Sequence, residues 1–445
     1  MLYVRRFFFY SNFLLAFNAL FFWFTWPTGP AVKIPLLLLL AGLYAYYSVI
    51  PRKSDAPTPK LNILIGGYEL VIAAVICFWC EAVFYTGLLF LWKPAVDTII
   101  LVLNAAASIV LTAGLLFNGF ARVLTMSSHL GLTNRFALIF LWWVPGLDLV
   151  LLYKTCKTVR SEYLHLCHRF RVNAARRQDQ VCATRYPLLM IHGIFFRDWD
   201  IVSYWGRIPD ELKENGATIY YGEQQSSSSV EKSAYELKAR ILSLVEATHC
   251  EKVNIIAHSK GGLDARFAIS CLGMDKTVAS LLTVNTPHRG TPFAGKLLER
   301  VPQRVSALIA DRYNAIFSKL GDESPDFFNG VSELTPEKCA QLNESMPDRA
   351  GVLYQSVGSK MRSHKSAPFP LNLGYSIIKT LDGDNDGLVN SSSMPWGHFL
   401  GTLEPAGKIG ISHSDVIDRP RRSIEGFDVC EWYVTYVKDL KARGL

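Results

Sequence analysis

Ile255-Ile256-Ala257-His258-Ser259-Lys260-Gly261-Gly262 is the stretch whose reading decides the fold of this chain. Val253, Ile255 and Ile256 are strand formers, and Leu263-Asp264-Ala265-Arg266-Phe267-Ala268, directly after the glycines, suits a helix. Between them lies a small-His-Ser-x-Gly-Gly turn. A serine lifted out of the backbone on a sharp strand-to-helix turn needs small residues two before and two after it, because larger side chains collide across the turn. Ala257 and Gly261 hold those positions, the alanine being a mild departure from glycine. The competing reading is a Ser-Gly loop that merely ends a strand, since short motifs recur by chance.

Outward from this turn, strand-like and helix-like stretches alternate. Tyr186-Pro187-Leu188-Leu189-Met190-Ile191 is a short apolar run of the kind that forms a buried parallel strand, and His192-Gly193-Ile194 follows it. Weak helix character around Ile208 and Leu212 leads to a turn at Asn215-Gly216 and a strand at Thr218-Ile219-Tyr220-Tyr221. Ala234, Leu237, Ile241 and Leu244 recur at helical spacing, and Ser280-Leu281-Leu282-Thr283-Val284 predicts a strand after the serine turn. This alternation predicts the α/β class, with a doubly wound, mostly parallel sheet whose ligands bind at the carboxyl ends of its strands.

The 445 residues are 50% apolar, but unevenly so: the apolar surplus lies before about Tyr153, and the chain after about Tyr186 has an ordinary soluble composition. Stretches 7–26, 34–50, 63–92 and 95–117 are long and apolar enough to suggest membrane crossings. A signal peptide competes for the first, but no A-x-A-like site follows it and further apolar segments do. Stretch 136–153 is short, is broken by Pro145-Gly146 and carries Asp148, which suits a re-entrant or interfacial hairpin as well as a crossing. Arg52, Lys53 and Lys60, then Arg122 and Arg135, then the basic run from Lys154 to Arg177 fall on one side if 63–92 crosses once and 136–153 does not cross. The positive-inside rule then makes the soluble part cytoplasmic.

The predicted organisation is an all-α multi-span membrane domain over 1–153, a basic amphipathic linker over 154–185 that suits an anionic membrane surface, and a soluble domain over 186–445. The net charge of +8 clusters beside the membrane segments, which argues against a nucleic-acid partner. Glu69 and Glu81 within 63–92 mark either an ion or substrate path or carboxyls paired with a neighbour. The nine cysteines lack metal-ligand spacing, and Cys77-x-x-Cys80 reads as apolar-helix side chains rather than a redox pair.

Five stretches of the chain occur in one order: Ile191-His192-Gly193-Ile194; Ala257-His258-Ser259-Lys260-Gly261-Gly262; Asn285-Thr286-Pro287-His288-Arg289-Gly290-Thr291; Asp384-Asn385-Asp386-Gly387-Leu388-Val389; and His413-Ser414-Asp415. Together they resemble the bacterial triacylglycerol lipases and esterases of the α/β-hydrolase fold. The resemblance covers roughly 186 to 445 and does not reach the apolar third.

Chemistry and resemblance together assign candidate roles. Ser259 would be the nucleophile, which needs an adjacent base. His413 is the candidate base, with His398 as competitor; His258, next to Ser259, reads as structural. The resemblance implies the acid at Asp386, in the order Ser…Asp…His that this fold uses, with Asp382 and Asp384 as solvated neighbours. Backbone N–H groups of Lys260 and, by resemblance, Ile194 would meet the developing oxyanion. The Lys260 side chain is expected to be a solvated surface group, and His288 a structural or pocket-wall residue. Stretch 292–348 reads as a lid or as an ordinary helical insertion. The resemblance also implies a structural calcium near Asp415, but no second acid occurs over 366–373, so no metal or other cofactor is assigned.

These assignments point to a membrane-anchored serine hydrolase of carboxylic esters, with lipid acyl esters as substrate. Phospholipase, thioesterase or acyltransferase activity by the same serine is the alternative within that chemistry. A transporter or sensor with a non-catalytic hydrolase-like domain is the alternative of another class. The motifs fix neither leaving group nor oligomeric state.

Overall fold

A computed structural model describes residues 2–51, 56–91, 97–130, 132–142, 144–194, 204–225, 228–291, 294, 327–405, 407, 409–422, 424 and 426–445. The chain forms two compact units, Met1–Arg171 and Val172–Leu445.

The first unit is helical: α1 (Leu2–Phe17), α2 (Ala19–Thr25), α3 (Pro30–Val49), α4 (Pro59–Leu91), α5 (Thr98–Met126), α6 (Leu132–Phe140) and most of α7 (Leu147–Arg176). Phe9, Phe13 and Phe17 recur every four residues on α1 and bury one stripe against Leu70, Ala73, Ala74 and Cys77 of α4 and Leu115 of α5. Elsewhere large apolar side chains face outward, among them Leu38, Val83, Val110 and Phe117. Among the described residues three helices, α3, α4 and α5, are long and apolar enough to cross a membrane, or four if α1 and α2 count as one span bent by 62°.

That bend falls at Asn18. A broken helix frees backbone groups that lipid cannot satisfy, so neighbouring side chains must. Asn104 Oδ1 accepts the Phe21 N–H at 3.0 Å, and the Ser108 hydroxyl donates to the Phe17 carbonyl at 3.0 Å. Asn18 in turn donates to Glu81 Oε1 at 2.5 Å, so Glu81 has a polar neighbour. Stretch 136–153 holds the end of α6 and the start of α7, separated by a turn in which Gly146 has φ +82°. From there α7 runs unbroken through Tyr153 and Lys154.

The second unit is built on a six-stranded sheet of order β2-β1-β3-β4-β5-β6, with every neighbouring pair parallel. The strands are β1 (Leu188–Ile191), β2 (Ile219–Tyr221), β3 (Val253–His258), β4 (Val278–Val284), β5 (Leu353–Ser359) and β6 (His398–Leu403). Helices α8 (Ile208–Glu214), α9 (Val230–Thr248), α10 (Gly261–Cys271), α11 (Phe327–Ser332), α12 (Pro336–Ser345), α13 (Leu371–Asp382) and α14 (Val429–Ala442) complete it. Parallel strands covered on both faces read as continuous apolar runs, and β1, β3 and β4 are buried throughout.

Side chains alternate across β3. Ile256 joins Trp205, Ile208 and Tyr433 under α8 and α14, while Val253, Ile255 and Ala257 join Leu237, Ile241 and Ile269 under α9 and α10. This is the α/β-hydrolase sheet, and it brings the ends of β1, β3, β4 and β5 to one edge. Of the lid or insertion stretch 292–348, residues 292–293 and 295–326 lie outside the described residues.

Candidate active site

β3 ends at His258, and the chain turns at Ser259 into α10. Ser259 adopts φ +56°, the left-handed conformation that an L-residue takes only when its surroundings impose it. Its N–H donates to the Val284 carbonyl of β4 at 2.9 Å, and its own carbonyl accepts from Gly262 N–H at 3.1 Å. The small residues are required by what faces them: a Cβ on Gly261 would run into the His192 carbonyl and come within 2.8 Å of the Ile191 side chain. A Cβ on Gly193 would lie 2.7 Å from the Ser259 Cβ, which puts the turn after β1 against the serine.

Asp386 lies in a tight turn whose flanks are bridged at Asn385 and Asn390. It is fully buried. Its Oδ1 accepts the Leu388 and Val389 N–H groups at 2.9 and 2.8 Å, and its Oδ2 accepts from Asn285 Nδ2 at 2.7 Å. The remaining partner on Oδ2 is His413 Nδ1, also at 2.7 Å. A backbone bond from His413 N–H to the Asp386 carbonyl, 2.9 Å, ties the two residues again. A carboxylate on Nδ1 fixes the ring and leaves Nε2 free to take a proton.

The His413 ring lies 4.5 Å, centroid to centroid, from that of His258, the neighbour of Ser259 in the chain. Ser259, His413 and Asp386 therefore gather at the carboxyl edge of the sheet. His398 does not join them: it begins β6, and its Cα pairs with Gln355 near the start of β5, at the opposite ends of parallel strands. Asp384 is a half-exposed partner of Lys360 and Lys379, whose ammonium groups hold its carboxyl below the usual carboxylate range.

Ile194 lies in the turn after β1, and Lys260 directly follows Ser259. Among the described residues no protein acceptor takes either N–H. The turn that carries Ile194 is held by Tyr204, whose hydroxyl accepts the Gly193 N–H at 2.9 Å and shares a 2.6 Å hydrogen bond with His258 Nδ1. Burial, with help from the nearby His413, pushes the His258 imidazole well below its usual pKa. Burial and Arg266 do the same to His288, which bonds Thr283 Oγ1 at 2.9 Å and stacks on Trp396.

The Lys260 side chain departs from the sequence expectation. It is 1% exposed rather than solvated, and its ammonium contacts Asp264 Oδ1 at 2.7 Å and Ser233 Oγ at 3.1 Å. Burial pushes the Asp264 carboxyl up, against the pull of Lys260. Tyr204 and Asn285 are the site residues that sequence reasoning missed. Asn285 stands in a quoted motif, but only the fold shows its amide reaching Asp386.

The calcium implied near Asp415 does not fit the groups present. Arg422 Nε donates to Asp415 Oδ1 at 2.7 Å and a terminal nitrogen of the same guanidinium donates to Oδ2 at 2.6 Å. Ser412 adds its N–H and hydroxyl to Oδ2 at 2.9 and 2.6 Å. Among the described residues no three His, Cys, Asp or Glu side chains converge as a metal site.

No family model matches the chain. Among curated proteins, it is 31% identical over 285 residues to a triacylglycerol lipase of Burkholderia plantarii, covering 52% of this chain and 79% of that protein. It is 31% identical over 280 residues to a triacylglycerol lipase of Pseudarthrobacter phenanthrenivorans, covering 50% of this chain and 87% of that protein. Similar solved structures include the Staphylococcus hyicus lipase, at 17% identity and a TM-score of 0.46 over 58% of this chain and 97% of that one.

Proposed function

The chain belongs to the triacylglycerol lipase family and is an ester hydrolase, and from that premise we propose a membrane-anchored serine enzyme that cleaves lipid acyl esters through Ser259, His413 and Asp386. The observation that carries this reading is the 2.7 Å His413–Asp386 hydrogen bond beside a serine at φ +56°. Ser259 Oγ attacks the ester carbonyl while His413 Nε2 takes its proton. The tetrahedral oxyanion is met by the Ile194 and Lys260 N–H groups. His413 then returns the proton to the departing alcohol, leaving an acyl-serine, and a water activated by the same imidazole releases the fatty acid. Asp386 orients the ring and stabilises its cation; it takes no proton itself.

Membrane anchoring rests on the apolar helices of the first unit, which would hold the enzyme at a bilayer, where acyl substrates are concentrated. In this reading 1–153 is the membrane part, 154–185 the basic linker and 186–445 the catalytic domain; the two compact units divide inside that linker, after Arg171. The basic loops favour the cytoplasmic face for catalysis.

A fluorophosphonate probe tests the nucleophile in detergent-solubilised protein. Labelling is expected on the native chain and lost in Ser259→Ala; an unlabelled native chain overturns the reading. Replacing His413 by alanine is expected to cut ester hydrolysis by about 10⁴-fold or more. The same change at His398 is expected to leave it near the native rate.

A further inference from the structure

We propose that Arg422 is a positioning residue, a built-in cation doing for the His413 loop what a calcium ion would do, so that this hydrolase operates without calcium. The inference rests on His413 as the base. Arg422 grips three points at once. It forks onto both oxygens of Asp415, two residues after His413, and it donates to the Ser366 carbonyl, between β5 and Asp386. Ser366 also accepts the Gly410 N–H on its hydroxyl at 3.3 Å, so the same residue touches the start of the loop that carries His413.

Charge and geometry both favour the arginine. Calcium carries two charges and takes six to eight oxygen ligands, more than one carboxylate can balance. Among the described residues Asp415, 3% exposed, is the one acid that Arg422 contacts, and the segment 366–373, which meets Arg422 through the Ser366 carbonyl, has no carboxylate. A guanidinium carries one charge and presents a planar fork matched to one carboxylate. Arg422 and Asp415 thus neutralise each other, and the N–H and hydroxyl of Ser412 fill further acceptor sites on Oδ2. A metal would have to evict the guanidinium and, among the described residues, would find a single acid in its place. The fork joins the segment leading to Asp386 with the loop holding His413, the two partners whose 2.7 Å hydrogen bond the chemistry needs.

The experiment compares the full-length protein in detergent with Arg422→Ala and Arg422→Lys, each in excess EGTA and in millimolar calcium. Ester hydrolysis, thermal midpoint and binding of radioactive calcium by equilibrium dialysis are read together. The native chain is expected to show the same rate and midpoint in both media and no saturable calcium binding. Arg422→Ala is expected to lose about 10²-fold in kcat, as for a reacting group displaced by about 1 Å, with KM changed far less. Arg422→Lys, which keeps the charge without the fork, is expected to recover only part of that loss. A native rate or midpoint that falls in EGTA and returns with calcium overturns the proposal, and so does an Arg422→Ala enzyme with native kcat. Should the alanine variant not fold, the chelation arm on the native chain still decides. Failure of the triad reading looks different: Ser259→Ala would then retain hydrolysis and labelling.

Discussion

Asn285 spends both hydrogens of its amide on buried oxygens, one on Asp386 Oδ2 and one on Ser359 Oγ, each at 2.7 Å. A hydrogen bond to a charged group contributes about 1.5–3 kcal/mol, so Asn285→Ala is expected to lower stability by about that amount. Through the loosened Asp386–His413 pair it is also expected to lower kcat by about tenfold, with KM little changed. Steady-state kinetics beside a thermal melt check both, and an unchanged kcat would remove Asn285 from the positioning of the acid. A pH effect follows from the buried imidazoles. His258 faces Tyr204, Trp205 and His413; His288 faces Arg266, Arg289, Thr283 and Trp396. Both are held below their usual pKa, so the unfolded chain binds more protons and stability is lost as pH falls below about 6.5. The slope is about 1.4 kcal/mol per pH unit for each imidazole. His288→Gln is expected to flatten the acid side of a plot of thermal midpoint against pH. Ser259, Asp386 and His413 could be singled out as candidates because each stands in a local motif and their order is that of the fold. Asn285 could not, because its partner is 101 residues away. The Lys260–Asp264 spacing was visible, but burial of the pair depends on α9 covering it, as the contact with Ser233 records.

At the scale of elements, the joint between β3 and α10 is a tightly constrained piece of the catalytic unit. β1 and the turn after it press on Gly261, so Gly261→Ala must push backbone rather than a flexible side-chain tip. Overpacking of this kind costs about 1–3 kcal/mol. Gly261→Ala is therefore expected to melt earlier and to react more slowly with fluorophosphonate, because the displaced turn carries Ser259. Native labelling kinetics in that variant would show the turn to be more yielding than its contacts imply. Strands β1, β2, β3 and β4 were readable from short apolar runs bounded by turns. β5 and β6 were not. Leu353-Tyr354-Gln355-Ser356-Val357-Gly358-Ser359 mixes polar and small residues, and its buried Gln355 and Ser356 find hydrogen-bond partners in the Tyr436 hydroxyl and the Trp396 backbone. β6 is one edge of the sheet, opposite β2, is only half-buried, and contains Gly401 at φ +103°. The apolar run Ile409-Gly410-Ile411 before His413 resembles a strand in sequence. It is irregular chain here, held by Ile411 N–H donating to the Lys360 carbonyl.

For the whole molecule, the side of the membrane on which the catalytic unit lies depends on fewer assumptions than the number of spans suggests. Hydropathy marked α3, α4 and α5 as crossings, and the structure keeps them as helices long enough for that. It could not mark the 62° break at Asn18, because a single asparagine in an apolar run does not reveal where Asn104 and Ser108 will come to meet the freed backbone. Whether α1 and α2 cross as a bent span or re-enter changes only the side of the Leu2 end. If α4 and α5 both cross, the loop between α3 and α4 and the chain beyond α5 lie on one side whatever happens at Asn18. Arg52 and Lys53 in that loop and Lys60 in the first turn of α4, with Arg122 near the end of α5 and Arg135 in α6, then act together under the positive-inside rule. The catalytic unit is expected on the cytoplasmic face: protease added to sealed, right-side-out vesicles should spare it, and protease added to inverted vesicles should digest it. The reverse pattern would overturn that expectation, either through an odd number of crossings between that loop and Val172, which would make 136–153 a membrane span, or through an inverted orientation of the whole membrane part. A tag at the Leu2 end, read in the same vesicles, separates three crossings from four without altering the expectation for the catalytic unit.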